Sequence, residues 1–231
     1  SDVYKRQVSN YTDEDMSNFE SVLENYGVQP VDGIVLEGNT DNYVSQNPYY
    51  LLPNIESGEI TSELSSQSRY VLVPLAQGIK KADNIRDTLN ISSILTTSDS
   101  AYSKTNLKDM DTMEKEDGDI EGPFDLAVSI TEKVGDDKET QIAYFASASI
   151  FNDSINSMVS GTNYELLSAS LAWMCSTDDS NQISIPSKSY DTTTLTVPTA
   201  DINFWSIFVT GVLPVCILLI GFGIWMKRRK Q

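Results

Sequence analysis

The feature that most constrains this chain is an uncharged apolar run close to its C-terminus. Residues 204–226 read FWSIFVTGVLPVCILLIGFGIWM and contain no charged side chain. As an α-helix, this run would be about 35 Å long, enough to cross a hydrocarbon layer of roughly 30 Å. Because core helices of soluble proteins rarely stay uncharged over such a length, we predict a transmembrane helix at 204–226.

Both ends of the run carry side chains that hold a helix at a membrane surface. Two tryptophans lie near the ends, where indole rings prefer the level of the lipid headgroups. A basic cluster follows, and the positive-inside rule places residues 227–231 in the cytoplasm, with the preceding domain outside. The predicted anchor combines the aromatic residues and the proline of the span with this cluster: Phe204, Trp205, Pro214, Trp225, Lys227, Arg228, Arg229 and Lys230.

The composition of the chain excludes several classes of site. The absence of histidine excludes Ser-His-Asp and Cys-His nucleophilic sites and histidine-ligated metals within this chain. Residues 8–201 hold 32 acidic and 10 basic side chains, about −22 in charge, whereas nucleic-acid binding needs a basic face. No GxxxxGK[ST] loop is present to bind ATP. We expect no enzymatic activity, no catalytic or cofactor-binding residues, no metal and no nucleic-acid partner.

The cysteines and the N-terminus bear on where the chain resides. Cys216 lies in the predicted span and Cys175 outside it, so we expect no disulfide, and an acidic outer domain without cystines suits a bacterial membrane. Residues 1–7, SDVYKRQ, resemble a translated sequencing-adapter scar and are excluded from the predicted fold. No signal peptide follows them, so we expect a C-terminal fragment of a longer protein; a genuine C-tail-anchored protein is the alternative.

Residues 8–186 alternate helical and extended patterns, which predicts an α/β domain. Thr12 and Asp15 form a capping box before apolar residues at helical spacing, and Gly27 offers a stop; the apolar positions are Met16, Phe19, Leu23 and Tyr26. Further segments are predicted as strands at 33–37, 49–52, 70–75 and 91–97, and as a short helix at 60–66.

The second half of the domain contains the clearest strands. Residues 123–131 and 140–148 predict an antiparallel or edge hairpin around a turn at 135–137. Asn163 is interpreted as the cap of a helix whose apolar stripe is Tyr164, Leu167, Leu171 and Met174. Residues 183–186 are a short strand, and residues 187–203 are an extended juxtamembrane tether.

The acidic segment between the two halves is predicted to be a long exposed loop. Residues 101–122 contain three lysines among six acidic side chains between residues 109 and 119. Their oxygen atoms would suit calcium, although the spacing departs from that of an EF-hand. A solvated loop is therefore the favoured interpretation, and a calcium site is the alternative.

Several of these segments occur in an order found in a known family. They read LENYGVQPVDGIVLEG, GPFDLAVSI, QIAYFASASIFNDSI, GTNYELLSASLAWM and ISIPSKS, followed by the span and its basic end. This order resembles the C-terminal half of the GldG-type family, auxiliary components of ABC transport systems linked to gliding motility. The resemblance covers most of residues 17–231 and rests on order and spacing. Where that family commonly reads GDSDF, this chain has ASASIF at 146–151, so no ion or ligand role of those acids is carried over.

The resemblance implies a fold, a location and partners. We expect a Rossmann-like extracytoplasmic α/β domain followed by one C-terminal transmembrane helix in a bacterial cell membrane. A separate ABC-2-type permease and a cytoplasmic P-loop ATPase would be its protein partners, and the lipid bilayer would hold its span. The alternative function is a stand-alone membrane-anchored binding or adhesion module.

Overall fold

A long antiparallel hairpin, predicted at 123–148, organises the fold. The computed structural model describes residues 4–12, 14, 16–44, 46–65, 69–107, 112–134, 139–175, 197 and 199–229. Their strands are, in chain order, β1 (Tyr4–Val8), β2 (Val28–Pro30), β3 (Ile34–Leu36), β4 (Tyr50–Leu51), β5 (Asn54–Ile55), β6 (Val73–Pro74), β7 (Ile79–Lys81), β8 (Leu89–Thr96), β9 (Tyr102–Lys104), β10 (Ile120–Glu121), β11 (Asp125–Lys133) and β12 (Glu139–Phe145). The helices are α1 (Ser17–Asn25), α2 (Ser62–Ser65), α3 (Asp153–Met158), α4 (Thr162–Cys175) and the C-terminal α5 (Thr199–Arg229).

The main sheet is built around the hairpin of β11 and β12. These strands pair antiparallel, and β11 also pairs antiparallel with β8 and, through Asp125, with β7. β7 pairs with β2, β8 pairs with β5, and β1 runs parallel to β12. The chain is therefore a mixed α/β protein with a curled sheet, as predicted at that level. Of the strand pairs described in this sheet, β1–β12 is parallel and the others are antiparallel, whereas a Rossmann-like sheet is mostly parallel.

Strand β12 contributes to the core on both faces of the sheet. Ile142 and Tyr144 pack with Leu23 of α1 in one cluster, whereas Ala143 and Phe145 pack in another with Leu166 of α4. Successive side chains of a strand point to opposite faces, so a strand covered on both sides reads as a continuous apolar run. Helices α1 and α4 thus cover opposite faces of the sheet.

The first helix occupies part of its predicted range. It begins at Ser17 rather than after Thr12, because the Thr12 hydroxyl accepts a hydrogen bond from the Glu14 amide in a preceding turn. Its end is as predicted: Gly27 takes a φ of +76°, and a Cβ there would lie 2.8 Å from Ile91 Cδ1. Glycine therefore serves both the left-handed conformation and the close packing.

Residues 4–8 form a strand of the fold, although residues 1–7 are excluded from the predicted fold. Backbone pairing places Tyr4–Val8 beside β12, in register from Tyr4 with Gln141 to Val8 with Phe145. The contact continues beyond the strand, where the Ser9 amide donates to the Phe145 carbonyl over 3.2 Å. An unpaired edge of β12 provides the donors and acceptors that draw these residues in. Their origin as a scar stays a prediction.

Helix α4 buries a different face from the one predicted. Its buried residues are Thr162, Asn163, Leu166, Ser170 and Met174. Tyr164 and Leu171 are instead 38% and 41% exposed, so the predicted stripe is wrong at these positions. The apolar periodicity failed because Asn163 and Ser170 face the core with their polar atoms hydrogen-bonded to backbone groups.

The acidic segment at 101–122 is also more ordered than predicted. β9 pairs with β3 and with β10 in a second sheet, and all three residues of β9 are buried. The exposed-loop prediction is therefore wrong for residues 102–104 and for the paired residues 120–121. The predicted turn at 135–137 and the short strand at 183–186 lie outside the described residues.

The C-terminal helix is long and apolar enough to cross a membrane. It runs from Thr199 to Arg229, so residues 199–203, predicted as part of the extended tether, are helical. Residues 187–196 of that tether are not among the described ones. The helix widens to a π-turn over Phe208–Val212, directly before Leu213 and Pro214. Proline has no N–H for the preceding turn and its ring crowds that turn, which accounts for the local widening.

Candidate functional site

An open cleft lies where β11 begins and is here called the Asp125 cleft. Its volume is about 490 Å³, and its charged and hydroxyl-bearing residues are Glu56, Lys80, Lys81, Thr96, Thr97, Asp99 and Asp125. The strand pairing explains the location. Asp125 is in register with Ile79 of β7 and with Thr96 of β8, so three strands converge on this one residue.

Asp125 is the electrostatic centre of the cleft. Burial raises the pKa of its carboxyl group above the ordinary value of 3.8. A hydrogen bond with Ser93 and the positive charge of Lys81 oppose this rise, while the negative charge of Glu56 adds to it. A carboxyl group of raised pKa in a cleft is a common feature of binding and proton-transfer sites.

The other charged groups of the cleft have partners that fix their positions. Thr96 Oγ1 donates to Glu56 Oε1 over 2.7 Å, and the Lys81 ammonium donates to the Ile91 carbonyl over 3.3 Å. The Lys80 ammonium lies 5.4 Å from the centre of the Phe124 ring, within the range of a cation–π contact. Two ammonium and three carboxylate groups thus line the same cleft, a combination suited to binding a ligand that carries both charges.

A second cleft adjoins the first through Asn54. It has a volume of about 390 Å³ and is also lined by Asp41, Leu52, Arg69 and Tyr70. Arg69 forms an ion pair with Glu165 of α4, which ties the rim of this cleft to the helix.

The lysine of β9 lies in a polar cluster that sequence analysis missed. The Lys104 side chain is completely buried, and its ammonium donates to Glu116 Oε2 at 2.6 Å and to the Glu114 carbonyl at 2.7 Å. Asp119 Oδ2 lies 3.5 Å away. Burial acts to lower the pKa of Lys104, but the hydrogen bonds and negative charges of Glu116 and Asp119 outweigh it and hold that pKa above the ordinary value.

This cluster bears on the calcium alternative for the acidic segment. Oxygen atoms that a calcium ion would need in this segment bind the Lys104 ammonium instead. Asp119 has further donors, because its carboxylate accepts the Glu116 amide at 2.9 Å and the Thr105 amide at 3.3 Å. Within the ranges that the structure describes, no group of three or more Cys, Asp or Glu side chains is placed to hold a metal ion.

The predicted anchor residues lie on α5, apart from Lys230, which is outside the described residues. Phe204 and Trp205 pack edge to face at 5.7 Å near the start of the apolar run. The Arg229 guanidinium lies 5.3 Å from the Trp225 ring at the other end. Pro214 lies beyond the π-turn, and the side chains of Lys227 and Arg228 follow Trp225 in the last turns. Both cysteines are exposed, Cys175 at the end of α4 and Cys216 within α5.

The segment that departs from the GldG-type pattern is structural in this chain. Ala146 is buried, and Ser147 Oγ donates to the Pro74 carbonyl over 2.5 Å. Ile150 is buried in the following 3₁₀ turn, Ala148–Phe151. At the positions where the family pattern has acidic residues, this chain therefore makes contacts that link the sheet to β6.

Sequence signals for the cleft and for Lys104 existed but were weak. Asp125 is the one charged residue in the quoted run GPFDLAVSI, at the first position of a strand. Lys104 follows Ala101 and Tyr102, which are buried, but its segment is dominated by acids. Neither local sequence shows which distant residues will lie next to the Asp125 carboxyl group or the Lys104 ammonium group.

Comparisons with known proteins add a distant structural likeness. No protein-family model and no curated protein matches the chain. A solved structure titled mmIFT52 N-terminal domain is similar, at 13% identity and a TM-score of 0.47, over 70% of this chain. The chain spans 59% of the length of that protein.

Proposed function

We propose that the chain is a non-catalytic, membrane-anchored auxiliary subunit of an ABC-2-type transport system. Its outer domain acts beside a separate permease, and a cytoplasmic P-loop ATPase supplies the energy. The observation that carries the proposal is helix α5, which has no charged side chain between Asp201 and Lys227 and is long and apolar enough to cross a membrane. The order of segments resembling the GldG-type family supports the choice of partners.

The orientation follows from the charges at the two sides of the helix. Lys227, Arg228 and Arg229 close its C-terminal end, and the positive-inside rule assigns that end to the cytoplasm. The domain before the helix carries about −22 and belongs outside a bacterial cell membrane in this proposal. Its relation to Rossmann-like domains remains part of the proposal, supported by helices on both faces of the sheet.

The surface of α5 offers a place for a permease helix. Gly211, Gly221 and Gly223 have no atom of the described chain within 4 Å of where a Cβ would stand. Small residues let the backbones of two membrane helices approach closely. Gly221 and Gly223 are two residues apart and therefore lie on opposite sides of the helix. We propose that the side bearing Gly221, here called the glycine-bearing surface, packs against the permease.

One observation favours a second candidate function, that of a stand-alone anchored binding or adhesion module. The Asp125 cleft is open to solvent and carries ammonium and carboxylate groups around a carboxyl of raised pKa. Such a cleft would serve a protein that captures a small polar ligand outside the cell. The two candidate functions differ in whether a permease and an ATPase accompany the chain.

A pull-down from the native host separates them. The full chain, tagged and solubilised in a mild detergent, would be recovered and its co-purifying chains identified by mass spectrometry. Recovery of a multi-span permease together with a P-loop ATPase is the expected result. A chain ending at residue 196 is the matched control and should lose both partners. Recovery of the tagged chain alone, under conditions that preserve other ABC complexes, would contradict the accessory function and favour the anchored module.

A further inference from the structure

The first residue of α5 is bound to a loop of the outer domain. Thr199 is 2% exposed, and its hydroxyl and its amide both donate to the Tyr43 carbonyl, at 3.1 Å and 3.3 Å. The Gln46 amide donates to the Thr199 hydroxyl in turn, over 3.4 Å. The loop that makes these contacts consists of residues 42–44 and 46–50 and is called the tyrosine loop.

The contact fixes the height of the tyrosine loop above the apolar part of the helix. Phe204 is the fifth residue after Thr199, which at 1.5 Å per residue is about 7.5 Å along the helix axis. A headgroup layer is roughly 5–8 Å thick on each side of the hydrocarbon core. If Phe204 begins the span, Thr199 and the Tyr43 carbonyl lie at the level of the headgroups.

The composition of the tyrosine loop suits that level. In sequence, residues 42–50 read NYVSQNPYY and contain no charged side chain, in a domain of about −22. Tyr43, Tyr49 and Tyr50 are half-buried, and the last two pack with ring centres 5.3 Å apart. Tyrosine prefers the membrane–water interface, and an uncharged loop avoids the repulsion that acidic parts of the domain would meet from anionic lipids.

We propose that the tyrosine loop rests among the lipid headgroups and that the Thr199–Tyr43 contact holds the outer domain against the bilayer. The inference rests on the proposed membrane anchor but not on the proposed permease or ATPase. It assigns the domain a defined lower face, so that the domain is held at one height and does not swing on a free tether.

The test measures the distance of chosen positions from the lipid headgroups. The full chain, with Cys175 and Cys216 replaced by serine and alanine, is labelled with a fluorophore at one new cysteine and reconstituted into phosphatidylcholine nanodiscs. A nitroxide on the headgroup of added lipid quenches nearby labels. Asn47→Cys reports on the tyrosine loop. Lys133→Cys is the matched control. Asp125 is in register with Thr96, and Thr96 with Asn54, shortly after the tyrosine loop, whereas Lys133 lies eight residues farther along β11, about 26 Å of strand.

We expect quenching at residue 47 to be at least threefold stronger than at residue 133. Thr199→Val, which removes the hydroxyl, should reduce quenching at residue 47 toward that at residue 133, whereas Thr199→Ser should leave it unchanged. Equal quenching at the two positions, or no effect of Thr199→Val, would overturn the inference. A label at Ile207→Cys, quenched by nitroxides on the acyl chains, reports insertion of α5 separately. Strong quenching at residue 207 with none at residue 47 refutes the position of the tyrosine loop and leaves the membrane anchor standing. No quenching at either residue refutes the loop position and the anchor.

Discussion

The Lys104 ammonium lies 2.6 Å from Glu116 Oε2, and the lysine side chain is completely buried while the glutamate is half exposed. The acidic segment therefore folds back over a cation supplied by its own preceding strand. Removing one partner of such a pair leaves the other charge without compensation in a place where water cannot fully replace it.

Lys104→Met should destabilise the domain and release the acidic segment. We expect a loss of about 2 kcal/mol, below the roughly 3–5 kcal/mol for a pair in a deep interior, since Glu116 keeps contact with water. Urea unfolding measures the loss, and a glutamate-specific protease should cut at Glu114 or Glu116 faster. Lys115→Met is the matched control, because Lys115 pairs with Glu121 at the surface. Equal stability of the two variants would contradict the account.

Asn163→Ala should be among the more damaging changes in α4. The Asn163 side chain accepts the Leu72 amide at 3.1 Å and donates to the Leu72 and Ile150 carbonyls, each at 2.9 Å. Its removal leaves three buried backbone groups without this partner: the Leu72 amide and the Leu72 and Ile150 carbonyls. We therefore expect a loss of about 3 kcal/mol in the free energy of unfolding. Ser168→Ala, at an exposed position of the same helix, should change it by less than about 0.5 kcal/mol. Denaturant-induced unfolding of the two variants measures these losses. If Asn163 served only as a helix cap, Asn163→Ala would cost about 1 kcal/mol instead.

Asp125→Asn should stabilise the protein in a pH-dependent way. The folded pKa of Asp125 is raised by burial, so the native state holds this proton more tightly than the unfolded chain does. Stability then falls as pH rises through the ordinary aspartate pKa of 3.8 to the raised value, and the full cost is present above it. The urea midpoint of Asp125→Asn should exceed that of the parent at pH 7.

The same variant should lose its advantage in acid. As the pH falls below 3.8, the parent carboxyl becomes protonated in both the folded and the unfolded state, and the two midpoints should converge. Asp99→Asn corrects for removing one negative charge from an acidic chain. A midpoint difference for Asp125→Asn that stays constant with pH would show that the carboxyl group does not pay a burial cost.

Gly221→Leu should weaken partner recovery without affecting the chain itself. Apart from the surrounding turns of α5 itself, no described atom of the chain lies within 4 Å of where a Cβ at Gly221 would stand. A larger side chain there should therefore not disturb the folded domain. We expect the tagged variant to reach normal levels in the membrane but to recover several-fold less permease in the pull-down. Ile220→Leu, at the adjacent position, controls for apolar bulk. Unchanged recovery with Gly221→Leu would refute packing through the glycine-bearing surface.

The parts of the fold that depend on local pattern could be predicted from sequence. The hairpin of β11 and β12 follows from two β-rich apolar runs, and the end of α1 follows from Gly27. The apolar helix at the C-terminus follows from length and lack of charge alone. In each case the deciding information lies within a few residues of the element itself.

The parts that failed depend on contacts between distant residues. Asn163 faces the core because Leu72, 91 positions away, supplies a donor and an acceptor, which no apolar periodicity records. Lys104 is buried because the acids that follow it fold back over it. Asp125 lies in a cleft because β7 and β8 converge on it. Tertiary pairing of polar groups overrides the rule that such residues face solvent.

The most direct test of the membrane-anchored outer domain uses the two native cysteines. Cys175 is exposed on the domain and Cys216 lies in the apolar helix. A membrane-impermeant maleimide, applied to intact cells stripped of their outer envelope, should label Cys175 and leave Cys216 unmodified until detergent is added; single-cysteine variants assign the signal. Labelling of Cys216 in intact membranes, or labelling of Cys175 only after lysis, would contradict the account.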